Sequence, residues 1–102
     1  MNPPLTETMV LDALRQVHDP ELGLNLVDMG LIYEVVIEDR KVTVKMTLTS
    51  PGCPMQQSMV YGVRLALKKL PPVHDVDVQM VWEPKWSPDM MTAEGRATVG
   101  MR

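Results

Sequence analysis

Apolar residues recur at a spacing near four over Val10, Leu11, Leu14 and Val17, which predicts a helix over residues 7–18 with Thr6 or Thr8 as its cap. Asp19-Pro20 ends it, because the residue before Pro is pushed out of the α region and Pro has no amide hydrogen to donate. From Leu31 the period changes to two. Residues 31–38 are rich in Ile, Val and Tyr, Asp39-Arg40 sits where a hairpin turn belongs, and residues 41–48 alternate strictly, so a β-hairpin is predicted. Val42, Val44, Met46 and Leu48 then share one face and Thr43, Lys45, Thr47 and Thr49 the other, which makes one face wet.

The spacing returns to helical at Met59, Val63, Ala66, Leu67 and Leu70, predicting a second helix over 55–69. Lys68-Lys69 complement the negative end of its dipole before Pro71-Pro72. Val76, Val78 and Met80 alternate with Asp75, Asp77 and Gln79 in a third strand that runs on to about Trp82. Ser87-Pro88-Asp89 supplies a cap, a proline at the first helical position and an acid in the first turn, so a third helix is expected over 88–94, ended by Gly95. The pattern predicts an α+β fold of order α-β-β-α-β-α in two layers: a three-stranded antiparallel or mixed sheet with helices on one face. The 102 residues are expected to form one domain, with a folded core over 6–94 and a tail over 95–102.

Residues 21–30 have neither period. Their two glycines suggest a loop of fixed shape whose Leu22, Leu24, Leu26, Val27 and Met29 fold back on the core. That leaves Asp19, Glu21, Asn25 and Asp28 facing outward or toward a site.

Composition narrows the function classes. A net charge of −3 argues against nucleic acid, which is met by a basic face. The start, Met1-Asn-Pro-Pro-Leu-Thr-Glu, lacks the basic region and apolar run of a signal peptide, and no apolar stretch approaches the ~20 residues that span a bilayer. A soluble, cytoplasmic protein with no membrane partner is expected. One Cys excludes an intrachain disulfide, and no Cys/His cluster has zinc spacing. Ten Met and no Phe fit flexible side chains filling the core at Met46, Met59 and Met80.

The single cysteine, Cys53, is predicted between a strand end and a helix start, in Pro51-Gly-Cys-Pro54. A helix N-terminus favours an anion by about 0.3–1 kcal/mol, up to about 2 when partly buried. That lowers a thiol by only about 0.2–1.5 pKa units from ~8.5. The dipole alone gives a partly ionised thiol, and a soft metal ion completes the deprotonation. The alternative is a small inert buried residue, since free Cys is often buried.

Four stretches in order, Asp19-Pro-Glu-Leu-Gly, Asn25-Leu-Val-Asp-Met-Gly-Leu-Ile-Tyr33, Thr49-Ser-Pro-Gly-Cys-Pro54 and Trp82-Glu-Pro-Lys-Trp86 with Met90, resemble the successive signatures of the SufT/PaaD-type metal-sulfur cluster biosynthesis family. That family includes the eukaryotic cytosolic iron–sulfur targeting factors. The resemblance implies an α/β fold like the iron–sulfur cluster assembly domain and a role in maturing iron–sulfur proteins, with Cys53 as the functional residue. PaaD-type members carry a cysteine-rich C-terminal extension and this sequence does not, which favours the short, general maturation type. Clusters usually take about four protein ligands. With one thiolate, any iron or cluster is expected to be transient and shared with a second copy in a homodimer, a partner, a small thiol or nearby oxygen and imidazole groups.

The other candidates carry two readings each. Asp19 and Glu21 support the Cys53 site as hard auxiliary ligands, or are helix-stop chemistry and a solvated charge. His18 is a further possible ligand or a solvated helix-end residue, and His74 is expected only at the surface. Thr49 and Ser50 donate hydrogen bonds to the sulfur or a bound ligand, or cap the second helix. Trp82 and Trp86 form a docking surface or are core residues. The expected function is an accessory factor in cluster assembly or delivery to client apoproteins, partnered by the assembly machinery; the alternative is an interaction adaptor in which Cys53 is incidental. Thiol catalysis needs a positioned base, and neither His lies in a recognisable catalytic motif, so no catalytic residue is assigned.

Overall fold

The structure is a computed structural model, and it describes residues 5–19, 23–49 and 56–98. The first helix, α1 (Glu7–Leu14), starts where Thr6 accepts the Met9 amide at 3.2 Å, satisfying one of the donors left open by a helix start. It buries Val10 and Leu14. The helix ends at Leu14 rather than at the expected residue 18. Gln16 and Val17 turn more tightly, donating to Ala13 and Leu14 three residues back, and the Val17 and Asp19 backbones then pair with Leu26 and Leu24. Backbone pairing of 17–19 with 24–26 replaces the last helical turn.

A four-residue helix, α2 (Leu26–Met29), stands inside the segment expected to be a loop. The Asn25 side chain caps it by accepting the Asp28 amide at 2.9 Å. Gly30 closes it in the left-handed region at φ 77°, the usual glycine helix stop. Leu26 and Met29 are fully buried, so the apolar loop does fold onto the core.

Strands β1 (Ile32–Glu38) and β2 (Lys41–Met46) form the expected hairpin, with Glu38 opposite Lys41 across Asp39-Arg40. Asp39 takes φ 57°, a conformation that short polar residues tolerate in two-residue turns. Helix α3 (Gln56–Lys68) buries Met59, Val63 and Leu67 and carries the chain back to β3 (Asp75–Met80), which pairs parallel to β2. A parallel partner needs such a crossover, so the sheet is mixed, in the order β1-β2-β3. Val42, Val44 and Met46 are fully buried, with α1 packing on β1 and on α3, and α3 on β3.

Two details of the alternation change. Thr47, expected on the wet face, is buried, because β2 ends at Met46 and the Thr47 amide turns to the Leu31 carbonyl at 2.9 Å. The expected third helix is two pieces, a 3-10 turn (Pro88–Met90) and α4 (Ala93–Thr98). Gly95, expected to end a helix, lies buried inside α4, where a Cβ would stand 2.7 Å from the Asp28 carbonyl oxygen. Residues 95–98, expected as tail, are thus helical and docked.

Candidate functional site

Beyond β3 the chain folds back over the α2 motif and is fastened to it at several points. The Trp86 indole N–H donates to the Met29 carbonyl at 2.7 Å. The Tyr33 hydroxyl donates to the Pro84 carbonyl at 2.8 Å and contacts the Met90 sulfur at 3.3 Å. Asp28 is a hub: it accepts from Asn25 Nδ2 at 2.8 Å and from Thr92 Oγ1 at 3.0 Å, while its carbonyl accepts the Thr92 amide. Thr92 Oγ1 in turn accepts the Gly95 amide at 3.0 Å. Two of the four sequence stretches, 25–33 and 82–90, are therefore one packed unit.

That unit forms one wall of a cleft of about 310 Å³ lined by Thr47, Leu48, Thr49, Trp82, Glu83, Lys85 and Trp86. The opposite wall is Thr47, Leu48 and Thr49, the residues just after β2. Thr49 is the last residue described before the segment that carries Cys53. Thr47 lends the cleft a buried hydroxyl, held only weakly to the Leu48 carbonyl at 3.4 Å. Glu83 and Lys85 put one charge of each sign on the rim.

Of the residues singled out from sequence, the structure brings Thr49, Trp82 and Trp86 into this cleft. Both tryptophans are half-buried and pack against the core, so they are wall and core at once. Asp19 is buried, at 5% exposure, where it was expected to face outward or toward a site. Cys53, Ser50 and Glu21 lie outside the described residues. His18 and His74 are exposed, and His74 Nε2 meets Arg40 Nη1 at 2.9 Å. Among the described residues no three His, Asp or Glu side chains converge as a metal site. No helix among them is long and apolar enough to cross a membrane.

Sequence reasoning missed Asp28, Tyr33 and Thr92 as the residues that hold the cleft wall in place. Thr92 and Asp28 are 64 positions apart, and only the fold joins them. Burial raises the Tyr33 phenol above its ordinary 10.0, keeping it neutral and able to donate.

A mixed three-stranded sheet with a crossover helix, and a cleft at the strand end before the Pro-Gly-Cys-Pro segment, define the assembly-domain class anticipated from the four motifs. The chain belongs to the iron–sulfur cluster assembly protein family, whose model matches residues 7–80. It is 43% identical over 86 residues to the Fe-S protein maturation auxiliary factor SufT of Staphylococcus aureus, covering 83% of this chain and 98% of that one. It is 42% identical over 94 residues to the auxiliary factor YitW of Bacillus subtilis, covering 91% and 92%. A crystal structure of a domain of unknown function (DUF59) from Bacillus anthracis superposes with a TM-score of 0.87 at 37% identity, covering 94% of this chain and 92% of that one.

Proposed function

We propose that this protein is an accessory factor in the assembly or delivery of iron–sulfur clusters to client apoproteins, with the Cys53 thiolate as a transient ligand of the cargo. The observation that carries the reading is the cleft. One of its walls ends at Thr49, on the residues that lead into the Cys53 segment. Family membership and relatives named as maturation auxiliary factors support the same role.

The chemistry follows from what the residues supply. A soft metal ion binds a thiolate in preference to a thiol, and the cleft that ends at Thr49 is lined by indole rings and threonine hydroxyls. Indole rings exclude water, and hydroxyls donate hydrogen bonds to sulfur, which tunes an iron–sulfur centre. A single thiolate holds such a centre loosely, with the remaining ligands coming from a second copy, a partner or a small thiol, and loose holding suits handing over. The protein works in the cytoplasm, with the assembly machinery and client apoproteins as its partners. It is a carrier or helper rather than a catalyst.

Replacing Cys53 with Ser in cells and assaying aconitase-type activity under iron limitation tests the reading. Loss of activity while the variant protein keeps its abundance is the expected result. Full retention, together with loss of partner co-purification on Trp86→Ala, establishes instead an adaptor in which Cys53 is incidental.

A further inference from the structure

The outer edge of β3 offers a second binding surface, whose lining shares no residue with the cleft. In the parallel β2/β3 ladder Met46 stands opposite Met80 and accepts the Val81 amide at 2.8 Å. Backbone groups alternate sides along a strand, so Val76, Val78 and Met80 point their N–H and C=O groups away from β2, at the free edge. At Val76 both are satisfied: its amide donates to Asp75 Oδ1 at 3.0 Å and its carbonyl accepts from Arg64 Nη1 at 3.0 Å. Val78 and Met80 have no such covering among the described residues.

These two open residues border a groove of about 360 Å³, with Val60, Tyr61, Arg64 and the Gln56-Gln57 pair from α3 as its other wall. Tyr61 is 63% exposed and Leu65, one turn on along the helix, 46%; among the described residues they are the large hydrophobic side chains left in solvent. An open strand edge beside an apolar helix wall is the geometry in which an extended peptide adds a strand, with main-chain bonds giving affinity and side-chain pockets giving selectivity.

Charge decides what kind of strand fits. On the face of β3 away from α3 stand Asp75, Asp77 and Gln79. Asp75 lies opposite Lys41 and caps Val76, whereas Asp77 lies opposite Thr43 and accepts from the Gln79 side-chain Nε2 at 3.0 Å. The cations diagonal to Asp77 on β2 are Lys41, which stands opposite Asp75, and Lys45, which is turned to Glu34 at 3.6 Å. A second copy pairing antiparallel through Val78 and Met80 would centre on Gln79. Asp77 would then stand opposite Val81 of the second copy and gain no cation, whereas a basic residue at that place would complement its carboxylate. We infer that the β3 edge binds an extended segment of a partner protein in which apolar residues, packed on Val60 and Tyr61, alternate with basic residues beside Asp77.

A seven-residue peptide alternating Lys and Val, blocked at both ends, is the probe, titrated into the ¹⁵N-labelled full chain and followed by amide chemical shifts and hydrogen exchange. The expected result is saturable perturbation and slowed exchange at Val78 and Met80, with at least tenfold weaker binding of the same peptide carrying Glu in place of Lys. Asp77→Lys is expected to weaken the Lys peptide at least tenfold, and Tyr61→Ala, a surface change that spares the core, severalfold. Val78→Pro removes an outward N–H that β2 does not use and is expected to abolish binding. Equal binding of the Glu peptide, or perturbations that bypass Val78 and Met80, overturns the inference. So do concentration-dependent shifts at those amides without peptide, which would show a second copy on the edge.

Discussion

The indole N–H of Trp86 meets the Met29 carbonyl at 2.7 Å, a contact between residues 57 positions apart. It ties the last residue of α2 to the stretch that lines the cleft. Met29 has no solvent exposure, so its carbonyl depends on that donor. The Tyr33–Pro84 and Asp28–Thr92 bonds fasten the same two stretches on either side. The cleft wall is held by specific polar contacts rather than by a long run of secondary structure, and its stability is open to single-residue tests.

Trp86→Phe keeps most of the ring and removes the donor. Leaving a buried acceptor unsatisfied costs about 1–3 kcal/mol, so the urea midpoint is expected to fall by that equivalent with the slope unchanged. Trp82 makes no side-chain hydrogen bond to the described residues, and Trp82→Phe is expected to cost less.

Gly30 and Gly23 form a matched pair. Both hold positive φ, at 77° and 73°, so alanine at either pays about 1–2 kcal/mol for the left-handed conformation. A Cβ on Gly30 would also collide with the Met90 carbonyl oxygen, whereas one on Gly23 meets nothing within 4 Å among the described residues. Gly30→Ala is expected to destabilise clearly more than Gly23→Ala in parallel denaturation curves, because relief requires moving backbone over the cleft wall.

Burial places the folded-state value of the Tyr33 phenol above 10.0. Folding then favours the protonated form, so the contribution is complete below about pH 10 and is lost as pH rises through the folded value, where the unfolded state binds fewer protons. Tyr33→Phe is expected to cost about 0.5–1.5 kcal/mol at neutral pH from the lost hydrogen bond to Pro84. The gap between the two proteins should narrow as urea midpoints are followed from pH 8 to pH 11. A gap constant across that range would show that the phenol does not titrate against folding.

What the sequence revealed follows the length of each periodic run. Helix α3 and the three strands were legible because Met59, Val63 and Leu67, or Val42, Val44 and Met46, repeat often enough to set a period. Helix α2 has four residues, too few for a period, and its signal was the Asn25 cap and Gly30 stop inside an apolar stretch. Gly95 was misread because glycine marks both a helix stop and a close approach, and here the Asp28 carbonyl requires the second. In the candidate site, Thr49, Trp82 and Trp86 could be picked out by their motifs. Thr92, buried Thr47 and the bond that joins Asp28 to Thr92 could not, since these roles arise from pairings across the fold that local pattern does not encode.

The cysteine count bears on the cargo. Anaerobic reconstitution of the full chain with ferrous iron and sulfide is expected to give a charge-transfer absorption that Cys53→Ser abolishes, because Cys53 is the one thiol in the sequence. A cluster needs about four ligands, so native mass measurement should find the coloured species as more than one chain or as a chain with an added small thiol. Omitting glutathione or an equivalent thiol should then shift the species toward the multi-chain form or lower its yield. Trp86→Phe, which loosens the cleft wall without touching the sulfur, should leave iron uptake intact and speed its loss to a chelator. If the chelator removes iron equally fast from both proteins, the indole wall does not shield the cargo and Trp86 serves the fold alone.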